Sequence, residues 1–185
     1  MDKPNEKQEQ MDISQGKLVI GLDIFSKQEN LQSIALVYNT ILGDGANSML
    51  FQNVREKASL AYSASSKYVK QKGNIFIRCG IEIQNYQKAL DIIKEQLENI
   101  KKGNFTEEDI NNAKCYLISG IKMIEEEQDS EIVFYIGSEI SKTYVSLKEY
   151  IEKINSVSKD DIIQFANSID VNTIYMLGNE KITNE

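Results

Sequence analysis

The chain contains no histidine. That absence excludes the common catalytic zinc sites built on two or three imidazoles. It also excludes the helical zinc signatures HExxH and HxxEH. A serine or cysteine triad loses its usual base in the same stroke, and no G-x-S-x-G occurs. Cysteine is scarce: Cys79 and Cys115 are too few and too far apart for a disulfide framework or a zinc ribbon. Each is expected to be a small buried hydrophobe, as free cysteine commonly is. The only proline is Pro4, and no apolar run approaches the ~20 residues that a bilayer span requires. The opening residues MDKPNEKQEQMD lack the apolar core of a signal peptide. A reducing, cytoplasmic setting is therefore expected.

Basic patches are missing as well. The net charge is −7 and the pI about 4.8, and lysines such as Lys67, Lys70 and Lys72 form no long stripe. Phosphate backbones are gripped by clustered lysine and arginine, so nucleic acid is not an expected partner, and neither is a membrane.

What is present fits one soluble domain. The 185 residues are 41% hydrophobic and 26% charged, enough to bury a core unaided. Residues 1–16 are polar and lack an apolar period, which predicts a flexible tail or inter-domain linker. Residues 17–180 read as the domain, and 181–185 as a second tail.

Within the domain, Leu18, Ile20, Leu22 and Ile24 recur every second residue, predicting a strand. Leu31, Ile34, Ala35, Tyr38, Ile41 and Leu42 follow helical spacing, with Gly43 where a C-cap glycine would stand. After the GDGANS turn, Leu50, Phe51, Val54 and Ala58 predict a short second helix. Strands follow over about 61–70 and 74–83, with Lys72-Gly73-Asn74 as the hairpin turn. Helices are then predicted from Ala89, Ile93, Leu97 and Ile100, and after the Thr106 cap with its three following acids. Others cover about 130–145 and 147–154, and one is capped by Ser158 with Asp161. The strand TIYML, 173–177, closes the order β-α-α-β-β-helices-β. That order predicts an α+β fold: a mixed or antiparallel sheet with helices packed on one face.

Few groups offer chemistry. Glu125, Glu126, Glu127 and Asp129 could hold a hard cation, but consecutive acids on a helix point apart and read more simply as a solvated end. No metal is expected in this chain. The GDGANS turn could bind an anion through free N–H groups. It lacks the P-loop pattern, so a plain turn with Asn47 or Ser48 as helix cap is the simpler reading. Arg55 at a helix end could only compensate the dipole, and Tyr62 in a strand could only pack. Seven residues apart across a helix-to-strand junction, they could also hold a peptide together.

The string LFQNVREKASLAY, residues 50–62, with the turn before it, resembles the signature of the C-terminal-type domain of the M16 (pitrilysin-like, insulinase-like) zinc peptidases. The matching residues are Gly45, Ser48, Leu50, Phe51, Arg55, Glu56, Leu60, Ala61 and Tyr62, while Met49 stands where a basic residue is often found. The element order over 17–178 fits that family too. The resemblance implies a division of labour. One half of the peptidase carries zinc on HxxEH, and the half resembling this chain closes over it. Arg55 and Tyr62 would reach the bound peptide near the scissile bond. Gly45, Ser48, Phe51 and Glu56 would build the supporting turn and motif. Zinc is then expected in a partner half, on the same longer chain or a separate subunit. Family members bind substrate partly as an added strand, so strand 17–25 and the edge of strand 61–70 are both candidate sites.

Three readings follow. The first is the substrate-positioning, non-zinc half of an M16-like metallopeptidase, inactive alone. The second is a relative without catalysis, serving as a scaffold or peptide-binding module. The third is an unrelated acidic α+β binding module, which burial of Arg55 and Tyr62 in the core, with their polar atoms satisfied internally, would favour.

Overall fold

The computed structural model describes residues 3–141 and 145–179. The tail expected at 181–185 lies outside them. Strand β2 (Gly16–Ile24) sets the frame: Leu18, Ile20 and Leu22 are buried, while Lys17, Val19, Gly21 and Asp23 turn to the opposite face. It lies at the centre, antiparallel to β4 (Asn74–Ile81) on one side and β5 (Ile169–Gly178) on the other. Strand β3 (Ala61–Val69) completes one edge against β4. Strand β1 (Asn5–Gln10) runs parallel to β5 at the other edge, giving the order β1-β5-β2-β4-β3. The β3–β4 turn closes at Gly73, whose φ of 63° suits glycine.

Helices cover one face of this mixed sheet. Helix α1 (Leu31–Gly43) lays Ile34, Val37, Tyr38 and Ile41 into the core, and Tyr38 meets Phe165 edge-on at 5.1 Å. Helix α2 (Tyr86–Lys101) buries Ala89, Ile93, Leu97 and Ile100. Helix α3 (Glu107–Glu126) starts at a full capping box between Thr106 and Asp109. Helix α4 (Gln128–Ser141) leaves Ile132, Val133, Ile136 and Ile140 exposed. Helix α5 (Leu147–Asn155) is boxed by Ser146 and Glu149, and α6 (Lys159–Asn167) by Ser158 and Asp161. The α+β class, the mixed sheet and the one-sided helices agree with the sequence pattern.

Three expectations are corrected. Residues 5–10, read as flexible tail, form β1. Its side chains are all exposed, so no apolar period marks it, and backbone bonds to β5 hold it instead. Tyr175 helps by donating its hydroxyl to Glu9 Oε2 at 2.9 Å. Gly43 does not act as a C-cap glycine in the left-handed region. It is buried in the last turn of α1, where a Cβ would lie 2.5 Å from the Ser66 backbone nitrogen. Cys115 is exposed, whereas Cys79 is buried as expected.

Burial also shapes the pH response. It pushes the Cys79 thiol from 9.0 up to about 12 and the Tyr150 phenol from 10.0 up to about 12. Between the unfolded and folded values, the native state keeps protons that the unfolded chain has lost. Stability therefore falls as pH rises through that window, and is unaffected by these groups below it. Denaturant midpoints measured at pH 8 and pH 11 should show the drop, and Cys79→Ser or Tyr150→Phe should each reduce it.

Candidate functional site

The chain leaves α1 through a turn that only part of its sequence explains. Gly45 adopts φ 114°, a region that a side chain resists. The buried Ser48 donates its hydroxyl to the Gly45 carbonyl at 2.7 Å, and its N–H donates to the same oxygen at 3.2 Å. Ser48 therefore ties the turn shut: it stands at the expected cap position, just before the helix begins at Met49, and its carbonyl accepts from Gln52 N–H at 2.9 Å, while its hydroxyl bonds back into the turn. Beside the turn, a cavity of about 280 Å³ is lined by Ile41, Met49, Asp44 and, from α3, Tyr116. Burial raises the Asp44 pKa, against the pull of Lys67 and a Tyr116 hydrogen bond. A carboxylate in that place disfavours an anion.

The helix that follows, Phe51–Lys57, is π-helical, a wide form often met where function distorts a helix. It ends in a tight reversal at Ser59, φ 51°, where Ser59 N–H donates to Arg55 O and Leu60 N–H to Val54 O. Val54 anchors the helix in the core. Its outer face carries Arg55, whose guanidinium carbon sits 4.6 Å from the Phe51 ring centre. Arg55 Nε lies 3.6 Å from Glu56 Oε1, an ion pair without a hydrogen bond, and the arginine side chain is 43% exposed. Stacking and charge thus set its direction while its donors stay available to a ligand.

Tyr62 begins the edge strand where the β3–β4 register slips between Ala61 and Ser63. It is 61% exposed, and its hydroxyl donates to Glu82 Oε1 at 3.1 Å. Glu82 also accepts from Gln84 through its other oxygen at 2.7 Å. That hydrogen bond, then the charge of Glu82, raises the phenol pKa, so the group remains a proton donor at neutral pH. No hydrogen bond or ion pair joins Arg55 to Tyr62. The fold instead places both at the surface, on the π-helix and on the strand packed against it. Burial of both, which would have favoured the unrelated-module reading, is not what the fold shows.

The sheet also decides between the two strand edges. Strand β2 is bonded on both sides, so the region 17–25 has no edge to offer. Among the described residues, strand β3 is bonded to no strand but β4. Sequence reasoning did not find Glu82 or Asp44; the former lies twenty residues from the tyrosine it holds. Among the described residues, no group of three or more His, Cys, Asp or Glu could hold a metal, and no helix is long and apolar enough to cross a membrane.

Residues 2–117 match the family described as the peptidase M16 inactive domain. A Bacillus subtilis protein called "Probable inactive metalloprotease YmfF" is 33% identical over 176 residues, which is 95% of this chain and 41% of that protein. A Rickettsia felis protein called "Uncharacterized zinc protease" is 29% identical over 168 residues, 85% of this chain and 39% of that one. The chain thus spans about two fifths of each of these two relatives. The crystal structure of a conserved protein from Enterococcus faecalis superposes with a TM-score of 0.89 at 27% identity, over 100% of this chain and 44% of that one.

Proposed function

Because this chain belongs to the M16 peptidase inactive-domain family, we propose that it is the substrate-positioning, non-zinc half of an M16-type metallopeptidase. It holds a peptide against a zinc-bearing half, with proteolysis arising only in that assembly. The observation that carries this reading is the placement of Arg55 and Tyr62. Both are exposed where the π-helix meets an edge strand with an unpaired side. A peptide added along β3 would gain backbone hydrogen bonds from that side. The Arg55 fork suits peptide carbonyl or carboxylate oxygens. The Tyr62 hydroxyl, once its single proton turns from Glu82 to the ligand, suits an oxygen that gains negative charge as water attacks. Zinc in the partner half would supply the activated water.

The test is reconstitution. The protein assembled with a zinc half should hydrolyse a fluorogenic peptide, and the 185-residue chain alone should not. Dialysis against a chelator should abolish turnover, and zinc should restore it. The name of the B. subtilis relative favours a second reading, a scaffold without catalysis. On that reading, the assembly binds peptide but zinc changes nothing.

A further inference from the structure

We propose that the open face of the sheet carries a subsite for a cationic side chain, arginine or lysine, of an extended peptide. The peptide-holding reading above supplies the identity of the cation's carrier; the site itself stands on its own geometry.

A cavity of about 320 Å³ lies on the face that no helix covers. Its floor is Gly21, paired with Phe76 on one side and Thr173 on the other. A glycine inside a strand often marks close approach by a ligand or another chain. A Cβ there would find nothing nearer than Phe76 at 3.8 Å and Thr173 at 3.9 Å, so the missing side chain opens a slot. One row along, Tyr175 stands opposite Val19, and its hydroxyl is fixed by Glu9. Phe76 and Tyr175 thus offer two aromatic walls to an aliphatic stem or a cation.

The far end of the slot is short of donors. Asp23 pairs across the strands with Asn74 and with Asp170. Like charges directly opposite on a sheet repel, yet no lysine or arginine among the described residues pairs with either aspartate. Among the described residues, the Asp23 carboxylate accepts from Asn172 Nδ2 alone, at 2.7 Å. Asn74 Oδ1 is the one buried side-chain polar atom among the described residues without a hydrogen-bond partner, a condition that costs free energy until a donor arrives. The unmet buried atom is an acceptor, and the charged groups beside it are carboxylates. Gly21 and Asp23 lie ~7 Å apart along one strand face, a reach that an arginine or lysine stem covers. A multi-donor cation on an apolar stem is the ligand that meets all of these conditions.

The test titrates N-acetylarginine methylamide into the protein and follows the backbone amide NMR signals of Gly21, Asn74 and Thr173. The citrulline counterpart, alike in shape but neutral, serves as the control. Saturable shifts with arginine alone, weakened by salt, support the subsite. Asp23→Asn should weaken them by ~10-fold or more, as loss of a charge-assisted contact does. Asp170→Asn should act in the same direction, should the first variant fold poorly. An equal response to citrulline, or no saturable shift at millimolar probe, overturns the proposal. Arg55→Ala should leave this titration unchanged. Failure of the peptide-positioning role would show only in turnover, so the two ideas fail separately.

Discussion

Replacing Arg55 by alanine should lower kcat/KM of the assembled peptidase by ~10²-fold or more while leaving the fold intact. The size follows from the role proposed for the guanidinium at a reacting peptide. A donor aimed at developing charge contributes ~3 kcal/mol of transition-state stabilisation, and its loss costs ~10²–10³ in rate. The fold is spared because the Arg55 side chain makes no hydrogen bond with another described residue, and alanine keeps the backbone carbonyl that accepts from Ser59 N–H. Its ion pair with Glu56 is solvent-exposed, and such pairs contribute little. Its contact with Phe51 is a surface contact too. Arg55→Lys keeps the charge but loses the planar fork, so only partial activity should return. Unchanged turnover in Arg55→Ala, with the assembly intact by size-exclusion chromatography, would remove the residue from the site. A matching loss of melting temperature would make its role structural.

Gly43→Ala should lower thermal stability by several degrees, although alanine is the better helix former. Two effects oppose one another here. Alanine in a helix gains up to ~1 kcal/mol over glycine, and less in a last turn. Against that, the new Cβ would lie 2.5 Å from the Ser66 nitrogen and 2.6 Å from its Oγ. The colliding nitrogen belongs to the backbone of β3 and cannot rotate away. Relief requires α1 to lift from the strand, breaking the bonds from Ser66 Oγ to the carbonyl and side-chain oxygens of Asn39. Overpacking of this kind costs ~1–3 kcal/mol and occasionally more, so the steric term wins. At ~2–4 °C per kcal/mol for a domain of this size, a calorimetric scan resolves the change. An equal or higher melting temperature would mean that helix and strand are not in such close contact. Since the turn holding Gly45 and Ser48 starts two residues later, peptide turnover in the assembly should fall with stability.

Periodicity carried most of the fold. Leu18, Ile20 and Leu22 announced a half-buried strand, and Thr106 and Ser158 announced helix starts whose boxes are present. What periodicity missed is what it cannot encode. Strand β1 is held through its backbone, with its side chains in water, so its composition resembles that of a tail. Gly43 carried the right residue for a helix end and a different reason, because a close approach from β3 is invisible in local sequence. The π-helical winding of Phe51–Lys57 depends on how Val54 is anchored and how the chain reverses at Ser59. At the candidate site, residue types suggested Arg55 and Tyr62. Their exposure, and the hold of Glu82 on the phenol, needed the strand pairing that brings β4's end beside β3. In the sequence, Gly21 is one position in an alternating strand. Its vacant side-chain position becomes informative once Phe76 and Thr173 are its neighbours.

The parallel seam between β1 and β5 has a mechanical consequence. Its partners run from Asn5↔Thr173 to Gln10↔Gly178. Tension drawing the N-terminal end of β1 away from the C-terminal end of β5 slides the strands past each other along their length. The rungs of the ladder are then strained together, whereas an antiparallel hairpin pulled from its two ends opens rung by rung. A neighbouring domain tethered through either end would therefore transmit its movements into the sheet as load on a clamp.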